Sequence, residues 1–396
     1  MAETVLEARP DINADLSREK IEQEDLQTEE MLVNMGPQHP ATHGVLRIVL
    51  RTDGEMVLEA VPHIGYLHRC AEKIGENVPP YQYIPYTDRM DYLAGMNDNL
   101  AFALAAEKLA GLEVSKRARY IRVLIAELNR IASHLVSLGT YGLDLGAFTP
   151  FLYAFRERER ILDLFESACG ARLTYSYITV GGVTADLPER FLDVCEEFMD
   201  YFEPKIDEYN ALLSFNHIFV KRTAHVGVIS AADAIAWGLT GPCLRASGVR
   251  WDLRKCQPDC AYDEFEFDVP IGEGAKGTVG DCWDRYFVRV LEMKQSSRIV
   301  RQAIEKLRGT PGETYDKKGK TLKLPKDEIY LELENPRGQL GFFIKGDGST
   351  IPARVKARGP SFCNLSITQH VCTNCLLADV AAIIGSIDVV MGEVDR

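Results

Sequence analysis

Two histidines four residues apart, His39 and His43, sit in the run GPQHPATHG at 36–44. On a helix that spacing would put both imidazoles on one face, where they clasp a metal ion. Gly36, Pro37, Pro40 and Gly44 interrupt the run too often for a helix to form. What remains is a stiff loop that presents an imidazole from a fixed backbone, and histidine is the side chain that exchanges a proton near neutrality. The other groups with chemistry in their spacing are thiols. Cys256/Cys260 and Cys372/Cys375 are close pairs, and four thiolates brought together make a structural zinc site. The two pairs are far apart in the chain, so the spacing points only weakly to zinc, and simple packing is the alternative. Cys70, Cys169, Cys195, Cys243, Cys282 and Cys363 stand alone and read mostly as small buried hydrophobes. The run RERER at 156–160 reads as an ion-paired helix face. No G-x-G-x-x-G or P-loop pattern offers a nucleotide site.

The charge balance narrows the partners. Formal net charge is −13, which excludes a nucleic-acid partner, because a polyanion requires Lys and Arg on its binding face. Residues 1–30 carry ten acidic against three basic side chains. That stretch lacks the basic and apolar regions of a signal peptide and is too acidic for a transit peptide, so it reads as a flexible or partner-draped arm. Cysteine without a secretory signal indicates reduced thiols in a cytosol-like compartment. The most apolar stretch, 376–391, is interrupted by Asp379 and Asp388, so the chain is expected to be soluble or peripheral to a membrane.

The elements that must position these groups can be read from periodicity. The alternating runs 45–51 and 56–61 flank Asp53-Gly54, a strong hairpin signal. In 117–138, Ile121, Leu124, Leu128, Ile131, Leu135 and Leu138 keep helical spacing, and Gly139 and Gly142 are expected to end that helix. Thr149-Pro150 reads as the cap and first residue of the next helix, which stops at Gly170. Asp186-Leu187-Pro188 opens a third helix reaching about Leu213, and a fourth occupies 283–307. After a lysine-rich connection, 329–334, 339–345 and 351–358 read as strands, and a last helix lies near 375–385. The fold class is therefore α+β: a central bundle of long helices with a β-rich N-terminal hairpin and a small C-terminal sheet. The expected divisions are an acidic arm (1–30), a hairpin region (31–65), a helical core (66–307) with an irregular segment at 214–280, an exposed loop (308–327), and C-terminal strands, helix and tail (328–396).

Several stretches in order, GPQHPATHGVLR (36–47), PHIGYLHR (62–69), YTDRMDYLAGM (86–96), FRERE (155–159), GLTGPCLRASGV (238–249) and GEVDR (392–396), resemble the 49-kDa core subunit of respiratory complex I, the NADH:quinone oxidoreductase. The resemblance runs from about residue 31 to the end and implies a hydrogenase-large-subunit-like fold. Nickel–iron hydrogenases, to which that family is similar, hold metal on two cysteine pairs. Their R-x-C-G-x-C would fall here on Arg89, Met90, Asp91, Tyr92, Leu93 and Ala94. Their D-P-C-x-x-C-x-x-H would fall on Asp388, Val389, Val390, Glu393 and Arg396. Without thiolate ligands a nickel–iron site cannot form, and no metal is expected.

In the family the emptied cavity takes a quinone headgroup, close to a tetranuclear iron–sulfur cluster of a neighbouring subunit. Two-electron reduction places charge on both carbonyl oxygens, which calls for positioned donors and a proton source. The resemblance implies that Tyr92 and His43 are those donors and that Asp144, in a turn between two helices, pairs with His43. It adds His39 and Asp388 to the quinone site. Arg69 and Arg89 are implied to face the partner's cluster. Thr174 stands where many members carry a histidine near that cluster. Expected partners are the small iron–sulfur subunit, a 30-kDa-type peripheral subunit and a membrane-arm subunit, in a hetero-oligomer at the cytoplasmic face of the membrane. This chain alone is expected to bind no cofactor. A ferredoxin-dependent version of the same machine, a hydrogenase-type large subunit and a non-catalytic scaffold are the alternatives.

Overall fold

A computed structural model describes residues 30–396, so the acidic arm before Glu30 lies outside the described residues. The first sheet contains β1 (Glu30–Met35), β2 (Arg47–Asp53) and β3 (Met56–His63), all antiparallel. Ile48, Leu50 and Thr52 alternate inward along β2, as a half-buried strand requires. The hairpin turns at Asp53-Gly54 as read, but the sheet begins one strand earlier, with Met35 paired to Ile48. Loop 36–44 therefore joins two paired neighbours and is anchored at both ends.

The helical core follows. Helix α1 (Gly95–Ala110) lies on the second sheet, and α2 (Lys116–Asp144) packs against α3 (Phe148–Cys169) and α5 (Cys282–Arg308), with α4 (Phe191–Tyr209) beside them. Helix α2 is buried on nearly every face, the signature of a central helix. It does not stop at Gly139. A Cβ at Gly139 would press within 3.2 Å of the Phe151 backbone, and one at Gly142 within 3.2 Å of Leu213. These glycines serve close helix packing, and the helix runs on until Asp144 is its last residue.

Two other helix starts also differ from expectation. Helix α3 begins at Phe148 with no side-chain cap from Ala147, so Pro150 lies inside its first turn, whereas Gly170 ends it at φ 76° as read. Helix α4 starts at Phe191, because Asp186 instead takes the Arg117 guanidinium at 2.8 Å. Helix α5 is capped by Asp281, whose Oδ1 accepts from Asp284 N at 2.8 Å.

The second sheet orders β4 (Glu328–Asn335), β5 (Gly338–Lys345) and β6 (Arg354–Arg358). In the preceding segment the lysines face outward while Leu322 and Leu324 are buried. The chain closes with α6 (Thr368–Cys372), β7 (Cys375–Leu376), α7 (Leu377–Ile387) and α8 (Met391–Asp395). Strand β7 joins the first sheet beside β3. Helix α7 packs on the turn at 40–42, on α2 and on α5. A second apolar cluster, separate from the main helical core, ties the first sheet to α7. Among the described residues no helix is long and apolar enough to cross a membrane.

Candidate functional site

His43 sits in the left-handed region (φ 49°, ψ 39°) directly after a short helical turn, Pro40–Thr42. Two hydrogen bonds fix that turn: Ala41 N donates to His39 Nδ1 at 3.2 Å, and Thr42 Oγ1 donates to His39 O at 2.7 Å. Gly36 holds φ +85° where a Cβ would run into the Leu46 carbonyl, so only glycine lets the loop leave β1 this way. His43 Nε2 is then 3.1 Å from Asp144 Oδ2, with the two side chains 12% and 5% exposed. Asp144 reaches it from the end of α2. Nδ1 of His43 has no partner among the described residues.

Asp388, the C-terminal cap of α7 at φ 60°, is the next charge inward. Its oxygens lie 3.6 Å from Arg337 Nη2 and 3.6 Å from Arg289 Nε. Burial pushes this carboxyl up, but the two guanidinium groups, aided by His43, more than reverse it and hold it below the usual range. Arg289 also closes the end of α7, donating to Ser386 O at 2.8 Å and Ile387 O at 3.0 Å. Arg337, on the tight turn between β4 and β5, donates to Asp91 Oδ2 at 2.7 Å and Ser133 Oγ at 2.9 Å. Both arginines are buried with donors left over. Arg337 Nε and Nη2 and Arg289 Nε have no hydrogen-bond partner among the described residues, so each relies on the nearby carboxylate charges.

Tyr92 follows Asp91 and is half-buried. Burial pushes its phenol up; Arg337 and Arg69 oppose this, while Asp91 and Asp388 add to it, leaving a firmly protonated donor. Its hydroxyl makes no hydrogen bond within the described residues. The charge of Asp388 acts on both Tyr92 and His43.

Behind Tyr92 lies a group that sequence reasoning passed over. Carboxylate oxygens of Asp91, Asp98 and Glu393, all buried, lie within 4.8 Å of one another. Backbone and side-chain donors hold them: Asp91 N and Asn335 Nδ2 donate to Asp98 at 2.8 and 2.7 Å, and Ser361 N donates to Glu393 Oε2 at 2.9 Å. Burial, with like charge from Asp91, pushes Glu393 up to about 8 and Asp98 well above its ordinary value. Three carboxylates beside one guanidinium cannot all ionise, so the cluster keeps a proton at neutral pH. The signal was available, since Asp91 and Glu393 stand where the hydrogenase pattern has thiols.

The remaining candidates fall into place unevenly. His39 is exposed, spends Nδ1 on the turn and makes no hydrogen bond to the His43–Asp144 pair. Arg69 donates to the Arg89 carbonyl, and Arg89 to the Pro85 carbonyl, leaving both guanidinium groups near the surface. Thr174 sits at φ 53°. Two residues on, Ser176 donates N–H and Oγ to Asp88 Oδ2 at 2.8 and 2.6 Å. Burial outweighs those bonds and pushes Asp88 up to about 6, a titrating group beside Arg89 that the sequence did not reveal. The two cysteine pairs do not meet: Cys260 belongs to the main core and Cys372 to the second cluster, which removes the zinc reading. Cys70, expected among the buried thiols, is exposed. A cleft of about 430 Å³ between α3 and α4, lined by Arg160, Phe191 and Phe198, contains none of the chemistry above.

These features define an α+β protein whose centre offers proton donors rather than thiolate ligands. The family described as respiratory-chain NADH dehydrogenase, 49 Kd subunit, matches residues 144–396. The D-type NADH-quinone oxidoreductase subunit of Chlorobium luteolum is 53% identical over 94% of this chain and 95% of its own length. Its counterpart in Cytophaga hutchinsonii is 51% identical over 93% and 96%, and that in Chlorobaculum tepidum 51% over 97% and 96%. The chain belongs to the family of the 49-kDa subunit of respiratory-chain NADH dehydrogenase. As a subunit of that enzyme it is one chain of a hetero-oligomer.

Proposed function

We propose that this chain is the quinone-binding catalytic core subunit of a proton-translocating NADH:quinone oxidoreductase. The observation that carries the reading is His43 held 3.1 Å from Asp144, with the charge of Asp388 acting on both His43 and the Tyr92 phenol. A quinone headgroup between them would have one carbonyl oxygen facing Tyr92 and the other facing His43 Nδ1. A tetranuclear cluster in a neighbouring small subunit would supply the electrons. As charge develops on the two oxygens, the phenol passes a proton to one and the protonated imidazole a proton to the other. This balances the two electrons and leaves a phenolate and a neutral imidazole to be reprotonated from solvent. His43 then becomes neutral, and Asp144 loses its counter-charge in a nearly closed site, a costly state until a proton returns. That change is a local electrostatic event able to bias the loop 36–44 and the end of α2.

On the same reading, Arg69, Arg89 and Thr174 face the partner's cluster, and Asp388 lines the headgroup site. His39 acts at one remove, through the turn that presents His43. The small iron–sulfur subunit, a 30-kDa-type peripheral subunit and a membrane-arm subunit are the partners, with the chain at the cytoplasmic face of the membrane. The relatives' names, which pair NADH with quinone, favour this reading over a ferredoxin-dependent one. The chemistry of Asp91 and Glu393 at the lost thiol positions speaks against a hydrogenase.

Tyr92→Phe tests the assignment. It removes a hydroxyl that no described residue uses, so assembly should survive. Quinone reduction should fall by about 10²–10³-fold, the usual loss for one such donor. Electron transfer from NADH to an artificial acceptor upstream of the quinone should persist in the same preparation. Normal quinone turnover in the variant overturns the reading.

A further inference from the structure

The thiol pair of the C-terminal region, Cys372 and Cys375, has no part in quinone chemistry. Cys372 is the last residue of α6 and is wholly buried, whereas Cys375 opens β7 and is half-buried. The two residues between them form a tight return. Asn374 takes the left-handed conformation at φ 61°, and its N–H donates to Val57 O at 2.8 Å. Leu377 N donates to Glu55 O at 2.8 Å just beyond. Clamped to β3 and to the turn just before it, the segment folds Cys375 back so that its Sγ donates to the Cys372 carbonyl at 3.1 Å.

We propose that Cys372 and Cys375 form a thiol–disulfide exchange site, which closes into an intrachain disulfide when it meets a small disulfide of the oxidised-glutathione type. The half-exposed Cys375 is the attacking sulfur. A hydrogen bond from Cys372 is the largest influence on it and holds it below the ordinary thiol value; the same contact pushes Cys372 well up. Exposure sets the order: Cys375 is the sulfur open to solvent, and Cys372 is the buried resolving thiol behind it. The Cys375 thiolate attacks one sulfur of the small disulfide, its S–S bond breaks, and one small thiolate leaves and is protonated. Cys372 then gives up its proton and attacks the Cys375 sulfur of the mixed disulfide, expelling the second small thiol. Two protein thiols and one small disulfide become one protein disulfide and two small thiols, so two electrons pass from protein to the small disulfide.

Several of the chain's other thiols are arranged otherwise. Cys195 and Cys260 are pushed up to about 12 by burial. Cys260 donates to Arg119 O at 3.6 Å rather than to Cys256. Cys70 is exposed but has His68 Nε2, not a second thiol, 3.7 Å away, so its reaction would stop at the mixed disulfide.

The experiment uses the intact purified complex. It is equilibrated in glutathione buffers of increasing oxidised fraction, quenched in acid, alkylated and digested for peptide mass spectrometry. The peptide holding Cys372 and Cys375 should lose two hydrogens without retaining glutathione, and dithiothreitol should reverse the change. In Cys372→Ser the mixed disulfide should accumulate on Cys375, whereas in Cys375→Ser the Cys372 thiol should stay unmodified. If both cysteines of the unaltered complex remain alkylatable through the oxidised range, or if Cys375 retains glutathione there, the proposal fails. The unaltered protein decides the question even if a variant does not assemble.

Discussion

At the scale of single residues, the His43–Asp144 pair separates a shared role from two independent ones. The 3.1 Å contact joins side chains from a loop and a helix end that are otherwise separate elements. If Asp144 acts by stabilising the charged imidazole, removing either partner removes the same function. His43→Ala and Asp144→Asn should each lower quinone reduction by about 10²–10³-fold, within the range for an acid–base group. The double variant should be little worse than either single one, because losses within one unit are not additive. A fully multiplicative loss in steady-state quinone assays would show two separate roles. Cys70 and Asp88 mark how little exposure or titration can be judged residue by residue from sequence. Nothing local in IPYTDRM indicates that burial against the 174–176 turn pushes the Asp88 carboxyl up to about 6.

At the scale of elements, periodicity was legible, and glycine was legible only where it ends an element in the open, as at Gly54 and Gly170. The hairpin at Asp53-Gly54 and the long apolar stripes of α2 and α5 stand as read, since their patterns repeat along the element. Gly139 and Gly142 misled because the same residue that ends a helix also permits close helix approach, and only the neighbour decides which. The tight turn between β4 and β5 carries Arg337 into the middle of the charged site. What holds it there comes from elsewhere in the chain. Asn364 Nδ2 donates to Arg337 O at 3.1 Å, and Gln339 N donates to Thr240 Oγ1 at 3.1 Å. Gly241, at φ +66°, lies against Gly338 so closely that a Cβ would collide with the Gly338 Cα. Gly241→Ala should therefore do more than cost the strain of its φ 66°, ψ −145° backbone, about 1–3 kcal/mol. It should displace the Arg337 turn, loosen Asp91 and Asp388 together, and lower both the thermal midpoint and quinone reduction. Ala at the solvent-open Gly111, in the left-handed region (φ 66°, ψ 31°) with nothing near its Cβ position, is the reference for a positive φ without a collision. Equal effects of the two variants in a melting curve would mean that the 241–338 contact carries no special weight.

At the scale of the whole molecule, the site is assembled from segments that are remote in sequence: loop 36–44, the start of α1, the ends of α2 and α7, the 337 turn and α8. The family resemblance pointed to most of these segments as one site. The physical reason for their meeting, a buried lattice of arginines and carboxylates, has no local sequence signature. That lattice makes stability depend on pH in a direction set by its raised carboxyls. Glu393 moves from an ordinary 4.5 to about 8 in the folded chain. Between roughly pH 5 and 8 the folded state holds a proton that the opened chain has released, so opening releases it and the local stability falls as pH rises. Below that window both states are protonated and the effect vanishes. Asp252, held down to about 2 by Arg254 and Arg245 against the opposing effect of burial, acts in the opposite sense, but only where acid reaches it below about pH 4. Glu393→Gln mimics the protonated form, with the carbonyl accepting from Ser361 N and the amide donating where the carboxyl proton was. Relative to the unaltered chain, the variant should gain protection of the α8 amides as pH rises from 5 to 8, by about 2–4 kcal/mol over the window. Hydrogen exchange of the terminal peptide in the intact complex, corrected for intrinsic exchange rates, measures this directly. A difference that stays flat across the window would place the stored proton on Asp98 rather than on Glu393.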